Sequence, residues 1–444
     1  MPVIIIAVAL TLAAAQAASA QPAARPAEPV PARLTLEQAL ARADTESHRL
    51  AELRAREGAA GAVLAARRAA DLPVVSAQAG YQRTNHVEEF GLLQPDGSIG
   101  ILYPDVPDNW RTRLDLQWPI YTGGRTQALE RAALAERAAA ASDVESARAD
   151  LRLETTRAFW ALVTATESVR VVEESVKRVE AQLKDVRARF DAGFLPPNDV
   201  LTVQSRLSQQ RTVLLQAANQ RDASRAELAR LIGAPLDAAF EADAALVPDL
   251  AHAHPAGDSE AASRDRADRQ ALAHRAEAAG ARIAAARAER KPSIAVVGGM
   301  DYARPNPRIF PRHDAWEDSW DVGVNLTWML WNGGRTAAQI AEARQLSDAA
   351  GARIAEFDTL IALEVRQRQL DLDSARAQVL TAGDAVASAT EARRVVQERV
   401  AAGVATTTEL LDAQVDQLQA ELDRTRALAT VKLAEARLAR ALGR

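Results

Sequence analysis

The feature that most constrains this chain is a displaced copy of itself. Trp118-Pro-Ile-Tyr-Thr-Gly-Gly-Arg-Thr126 returns 210 residues later as Trp328-Met-Leu-Trp-Asn-Gly-Gly-Arg-Thr336. The same displacement relates Phe190-Asp-Ala-Gly193 to Val400-Ala-Ala-Gly403, Asp199-Val-Leu201 to Glu409-Leu-Leu411, and Leu231-Ile-Gly233 to Ala441-Leu-Gly443. One register held over more than a hundred residues marks a tandem duplication, so the fold must contain two similar halves. Upstream the register drifts: Pro73 answers Pro292, a shift of 219. The first copy therefore has the longer connection before its Gly-Gly-Arg turn, as expected of an exposed loop between strands.

Each half reads as helix, strand, loop, strand, very long helix, sharp turn and return helix. Val172, Val176, Val179, Leu183, Val186 and Phe190 recur at steps of three and four, a heptad seam that Val200, Val203, Leu207 and Leu214 answer on the return helix. Gly193 and Pro196-Pro197 stop the first helix, and Asn198 or Asp199 can cap the next. In the second return helix Leu411, Val415, Leu418 and Leu422 lie beside a seam through Leu410. Two seams mean neighbours on two sides, as in a ring of helices. The spacing predicts strands at about 73–84 and 110–121, a long helix at 126–190 and a return helix at 199–231 in a first repeat spanning 21–233. It predicts strands at about 292–303 and 319–331, a long helix at 336–400 and a return helix at 409–441 in a second repeat spanning 266–444. Between them, 234–265 is rich in Ala, Pro and Asp and reads as a linker.

Composition narrows the function. Apolar residues make up 48% but aromatics only 4%, a balance suited to close-packed helices rather than a thick globular core. With 54 basic against 59 acidic residues the net charge is −5, which argues against a nucleic-acid partner. There is no cysteine, hence no disulfide, thiolate metal site or Cys nucleophile. Gly123-Gly124-Arg125-Thr126 lacks the Lys and spacing of a phosphate loop and reads as a strand-to-helix turn. His252 and His254 read as exposed linker rather than a metal site. No nucleophile with a histidine–carboxylate set stands out, so we expect no enzyme, cofactor or metal.

Residues 1–20 carry no charged side chain, an apolar run from Ile4 to Leu12 and a small-residue cleavage site, Ala18-Ser19-Ala20. They read as a secretory signal removed before Gln21, the run being short for a bilayer-spanning anchor. Beyond them no run of about 18 apolar residues occurs. Entry into a membrane would thus require a closed β-barrel, the one remaining way to satisfy every backbone polar group in lipid.

The strands have that character. Leu114, Leu116, Trp118 and Ile120 alternate with Arg113, Asp115 and Gln117. Trp320, Val322, Val324, Leu326, Trp328 and Leu330 alternate with Asp321, Gly323, Asn325 and Thr327. Such alternation fits a half-buried soluble sheet or a lipid-facing barrel. All four Tyr (81, 103, 121, 302) and six of seven Trp (110, 118, 316, 320, 328, 331) lie in or beside these strands, the girdle pattern of a membrane barrel. Four strands cannot close a barrel when the smallest membrane barrels need about eight, so strands must come from several chains.

In its duplicated halves, strand pairs, Gly-Gly-Arg turns and tips reading Arg-Phe-x-x-Gly then Asp-Val-Leu over 189–201, the chain resembles the TolC family of outer-membrane efflux proteins. The resemblance covers nearly all of the mature chain. It implies a mainly α fold with a β membrane part: a homotrimer with an α-barrel tunnel through the periplasm and a twelve-stranded β-barrel in outer-membrane lipid. It implies passive passage of substrates from an inner-membrane pump or ABC exporter, through a periplasmic adaptor (membrane fusion) protein, as in tripartite efflux or type I secretion. Gly193, Asp199 and Gly403 would mark adaptor-docking tips, and Trp118, Trp328 and Trp331 a membrane interface. Glu409 and Asp412 match the family's acidic pore constriction, with Glu at 409 departing from the usual Asp. Three apart on one helix face, they would form a ring of carboxylates that favours cations and needs basic partners, bound cations or partial protonation. A periplasmic adaptor or a soluble coiled-coil scaffold is the rival reading; the first has a single hairpin flanked by β domains, and the second leaves the aromatic clustering unexplained.

Overall fold

A computed structural model describes residues 31–95, 97–247 and 266–444. The expected signal at 1–20, residues 248–265 of the linker, and His252 and His254 with them, lie outside the described residues.

The duplication is explicit in the helices. Helix α3 (Arg125–Asp191) and helix α6 (Arg335–Ala401) are each 67 residues long. The return helices α4 (Pro197–Leu231) and α7 (Thr407–Ala441) are each 35, and every boundary is displaced by 210. Local chemistry sets these ends. Gly123 and Gly124 hold φ of 68° and 88°, and Gly333 and Gly334 hold 67° and 86°, a left-handed turn open to glycine and costly for other residues. At the other end of α3, Phe194 N–H donates to the Arg189 carbonyl at 2.8 Å, and Val404 to Arg399 at 2.9 Å after α6. These are Schellman closures around Gly193 and Gly403, which carry φ of 81° and 75°.

The described residues pack as two units. The first comprises 31–47, 155–247 and 382–429. Its core is the expected seam: Val172, Val176, Val179, Leu183 and Val186 of α3 lie buried with Val203 and Leu207 of α4 and Leu411 and Leu418 of α7. Phe190 leaves that seam and is 39% exposed. Helix α1 (Leu36–Glu46) opens with a reciprocal cap between Thr35 and Gln38. Strands β1 (Arg33–Leu34) and β6 (Glu241–Ala242) pair in parallel, with Leu34 and Phe240 buried beside them. The stretch read as a linker from 234 thus begins with anchored chain; Phe240, buried where Leu236 and Val247 stay exposed, does the anchoring.

The second unit comprises 48–154, 266–381 and 430–444. It holds helices α2 (His48–Ala69) and α5 (Ala267–Ala288) and strands β2 (Val74–Arg83), β5 (Asp108–Tyr121), β7 (Ser293–Arg304) and β8 (Glu317–Thr327). Those four strands form one antiparallel sheet in the order β2-β5-β7-β8. β8 stops at Thr327, short of the expected 331, because its ladder partner β7 begins at Ser293, opposite Thr327. A hairpin that the sequence reading passed over, β3 (Phe90–Leu93) with β4 (Ile99–Tyr103), fills the β2–β5 connection. Among the described residues no helix is long and apolar enough to cross a membrane.

Candidate functional site

The sheet has two chemically opposite faces. Across it Leu114 sits opposite Met300 and Met300 opposite Trp320, while Trp118 sits opposite Val296 and Val296 opposite Val324. This face is solvent-exposed in the isolated chain, Val322 by 70% and Val324 by 68%. The other face carries charge. Arg113 opposes Asp301, and Gly299 lies between Asp115 and Asp321. The Arg113 guanidinium donates to Asp115 at 2.6 Å, to Asp301, and to Asp321 at 3.5 Å. Arg111 donates to the same Asp301 at 2.6 Å, and that carboxylate is 1% exposed. Gly299 makes this possible, because a Cβ there would collide with the Arg113 guanidinium and crowd Asp321. β2 and β8 each have a neighbour on one side only, so the sheet ends in two unpaired edges.

The strand-to-helix turns hold the aromatic residues singled out above. The Trp118 indole N–H donates to the Asp71 carbonyl at 3.2 Å, and the Trp328 indole N–H to the Arg290 carbonyl at 3.1 Å. The two repeats thus anchor equivalent indoles to equivalent backbone. Trp331 is 85% exposed.

At the start of α7 the carboxylates singled out have partners. Glu409 accepts from the Thr406 backbone N–H at 3.2 Å and its hydroxyl at 3.0 Å, while Glu409 N–H donates to the Thr406 hydroxyl at 3.2 Å. This is a capping box. Those donors, with Arg399 at 4.0 Å, hold the Glu409 carboxyl below the ordinary glutamate value. Asp412 accepts from Arg206 of α4 at 3.2 Å. Within one chain the two acids are therefore met by basic partners. Asp199 lies in the first turn of α4, its N–H donating to the Pro196 carbonyl at 3.2 Å. The residues following the turn glycines, Phe194 and Val404, are 80% and 65% exposed.

The sequence profile of outer membrane efflux proteins matches residues 35–234 and 259–444. The chain belongs to that family. No curated protein matches the efflux protein. Solved structures share its fold: a membrane protein from Pseudomonas aeruginosa, 23% identical, has a TM-score of 0.77 over 92% of this chain and 90% of its own. The Campylobacter jejuni CmeC outer membrane channel, 16% identical, has a TM-score of 0.77 over 92% and 85%. The open state of the Neisseria gonorrhoeae MtrE outer membrane channel, 20% identical, has a TM-score of 0.74 over 92% and 88%. Membership makes the chain an efflux protein of the cell outer membrane and not an enzyme.

Sequence reasoning about the efflux protein missed Arg206, Arg399 and the Arg111–Arg113–Asp301–Asp321 web. Arg399 was within reach, being Arg189 displaced by 210 residues at the end of the other long helix. The others meet partners 188 to 208 residues away in the chain, and only strand register or helix packing brings such pairs together.

Proposed function

We propose that the chain acts as a homotrimeric outer-membrane duct in a tripartite efflux or type I secretion system, giving substrates passive passage from an inner-membrane pump and periplasmic adaptor to the exterior. The observation that carries this reading is the open four-stranded sheet, apolar on one face and charged on the other. An unpaired edge cannot persist in lipid, where each unsatisfied backbone group costs several kcal/mol. Joining β8 of one chain to β2 of the next removes both edges, and three copies give twelve strands, with the apolar face outward. Trp118, Trp328 and Trp331 then sit at the membrane boundary. The tips around Gly193, Asp199 and Gly403 meet the adaptor, with exposed Phe194 and Val404 as apolar contacts, and Glu409 and Asp412 line the narrowest point. Native mass spectrometry in mild detergent tests the assembly: a trimer supports it and a monomer rejects it. Crosslinks from tip residues to an adaptor in cells test the polarity; crosslinks confined to the strands would reverse it.

A further inference from the structure

At the end of the sheet opposite the Gly-Gly-Arg turns, both strand connections fold onto the charged face. Between β7 and β8 the Asn306 side chain, 3% exposed, donates to the Glu317 carbonyl at 3.0 Å and to the Ser319 hydroxyl at 3.1 Å. Ser319 lies opposite Asp301, hence on the charged face. Arg308 reaches two residues deeper, donating to Asp321 at 2.6 Å, the carboxylate that Arg113 also approaches. The β2–β5 connection is tied to the same loop: Arg312 donates to the Tyr103 hydroxyl at 2.9 Å, with its guanidinium 5.1 Å from that ring's centre. Between the connections and the sheet lies an open cavity of about 750 Å³, lined by Gln78, Gln82, Arg111, Arg113, Pro305 and Arg312 among others.

We propose that these two connections build a second constriction, inside the outer mouth of the barrel, and that Arg308 sets its ion preference. The proposal rests on the barrel reading above, which makes the charged face the lumen. A loop whose side chains bond Ser319 and Asp321 occupies space that the passing solute would otherwise use. Its chemistry follows from a count. Arg111, Arg113 and Arg308 face Asp115, Asp301 and Asp321, three charges of each sign, so this web of ion pairs is balanced while Arg308 is present. Removing Arg308 leaves one uncompensated carboxylate per chain and three around the axis, and a ring of that sign draws cations.

The chain has no cysteine, so Arg308→Cys introduces its one thiol. We expect full-length R308C in planar bilayers at about 0.15 M salt to shift its reversal potential toward cation preference, with cation partitioning up about two- to threefold and anion partitioning down by a similar factor. A cationic thiol reagent should reverse the shift and an anionic one should extend it; a bulky neutral reagent should lower conductance. Arg308→Glu should exceed R308C without any reagent, and Arg308→Lys should match the unsubstituted protein, which separates charge from misfolding. A conducting trimer whose preference and conductance are the same in R308C, R308E and the unsubstituted protein overturns the proposal and leaves the duct reading intact. Failure of the unsubstituted protein to conduct at all rejects the duct, and this proposal with it.

Discussion

Removing the two acids at the start of α7 should give the constriction a preference for anions. In each chain Glu409 and Asp412 are faced by Arg399 at 4.0 Å and Arg206 at 3.2 Å, so these four groups sum to zero. Glu409→Ala with Asp412→Ala leaves two arginines per chain, a change of six positive charges around the axis of a trimer. An ion passing ~8 Å from a unit charge in water feels ~0.5 kcal/mol, cut to ~0.2 kcal/mol by screening at 0.15 M salt. Six such charges change partitioning about sevenfold for each ion, cations downward and anions upward. At 1 M salt, where the screening length is ~3 Å, the factor falls to about 1.4. Reversal potentials under a salt gradient read this directly, and Arg206→Ala should shift them the opposite way. Acid should imitate the loss of Glu409, since protonation removes the same negative charge. The Thr406 donors and Arg399 hold the Glu409 carboxyl below its ordinary 4.5, so the midpoint of this shift lies below that pH. The contribution of this carboxylate to the cap follows the same sign: present above the ordinary value, lost as pH falls through the lowered one. A double mutant with an unchanged reversal potential at low salt, or a shift of equal size at 1 M, would refute the reasoning and remove both residues from the conducting path.

Two further outcomes follow from the turns. Gly123→Ala should lower the unfolding midpoint more than Gly333→Ala: both carry a left-handed φ worth about 1–2 kcal/mol to an L-residue, but a Cβ at 123 would also stand 2.9 Å from the Ala288 carbonyl, while nothing lies within 4 Å at 333. Equal midpoints would deny the close approach at the first turn. Variants retaining Trp118, Trp328 or Trp331 alone should show strong fluorescence quenching by brominated lipid, and absence of quenching at all three would count against the membrane boundary.

The two halves of this chain are alike where local geometry rules and different where charge rules, which also decides what the sequence could disclose. Turn glycines and the strand alternation that precedes them repeat at 210 residues because each is a short-range requirement, and they are legible from either copy alone. The hairpin of β3 and β4 was also legible in kind, since Pro95 and Gly97 separate two short apolar runs, but a reading focused on the repeat passes over what only one copy contains. The ion pairs were not legible, because they arise from divergence between the copies. Arg111 of the first repeat stands where the second has Asp321, and Arg206 where the second has Asp416. On the charged face of the sheet the first repeat contributes Arg111 and Arg113 from β5, and the second contributes Asp301 from β7 and Asp321 from β8. Two copies of the second half would have set an aspartate at position 111, beside Asp301, at the β5–β7 junction. Divergence instead makes that junction complementary, while β2, with Ser76, Gln78 and Gln82 on the same face, carries no such charge. Between the long connection joining the repeats and this charge match, β7 is directed to the β5 of its own chain, which keeps β2 and β8 as the edges left for another copy. The duplicated sequence supplies two equivalent hairpins, and the sign of a few side chains determines which edge closes within the chain.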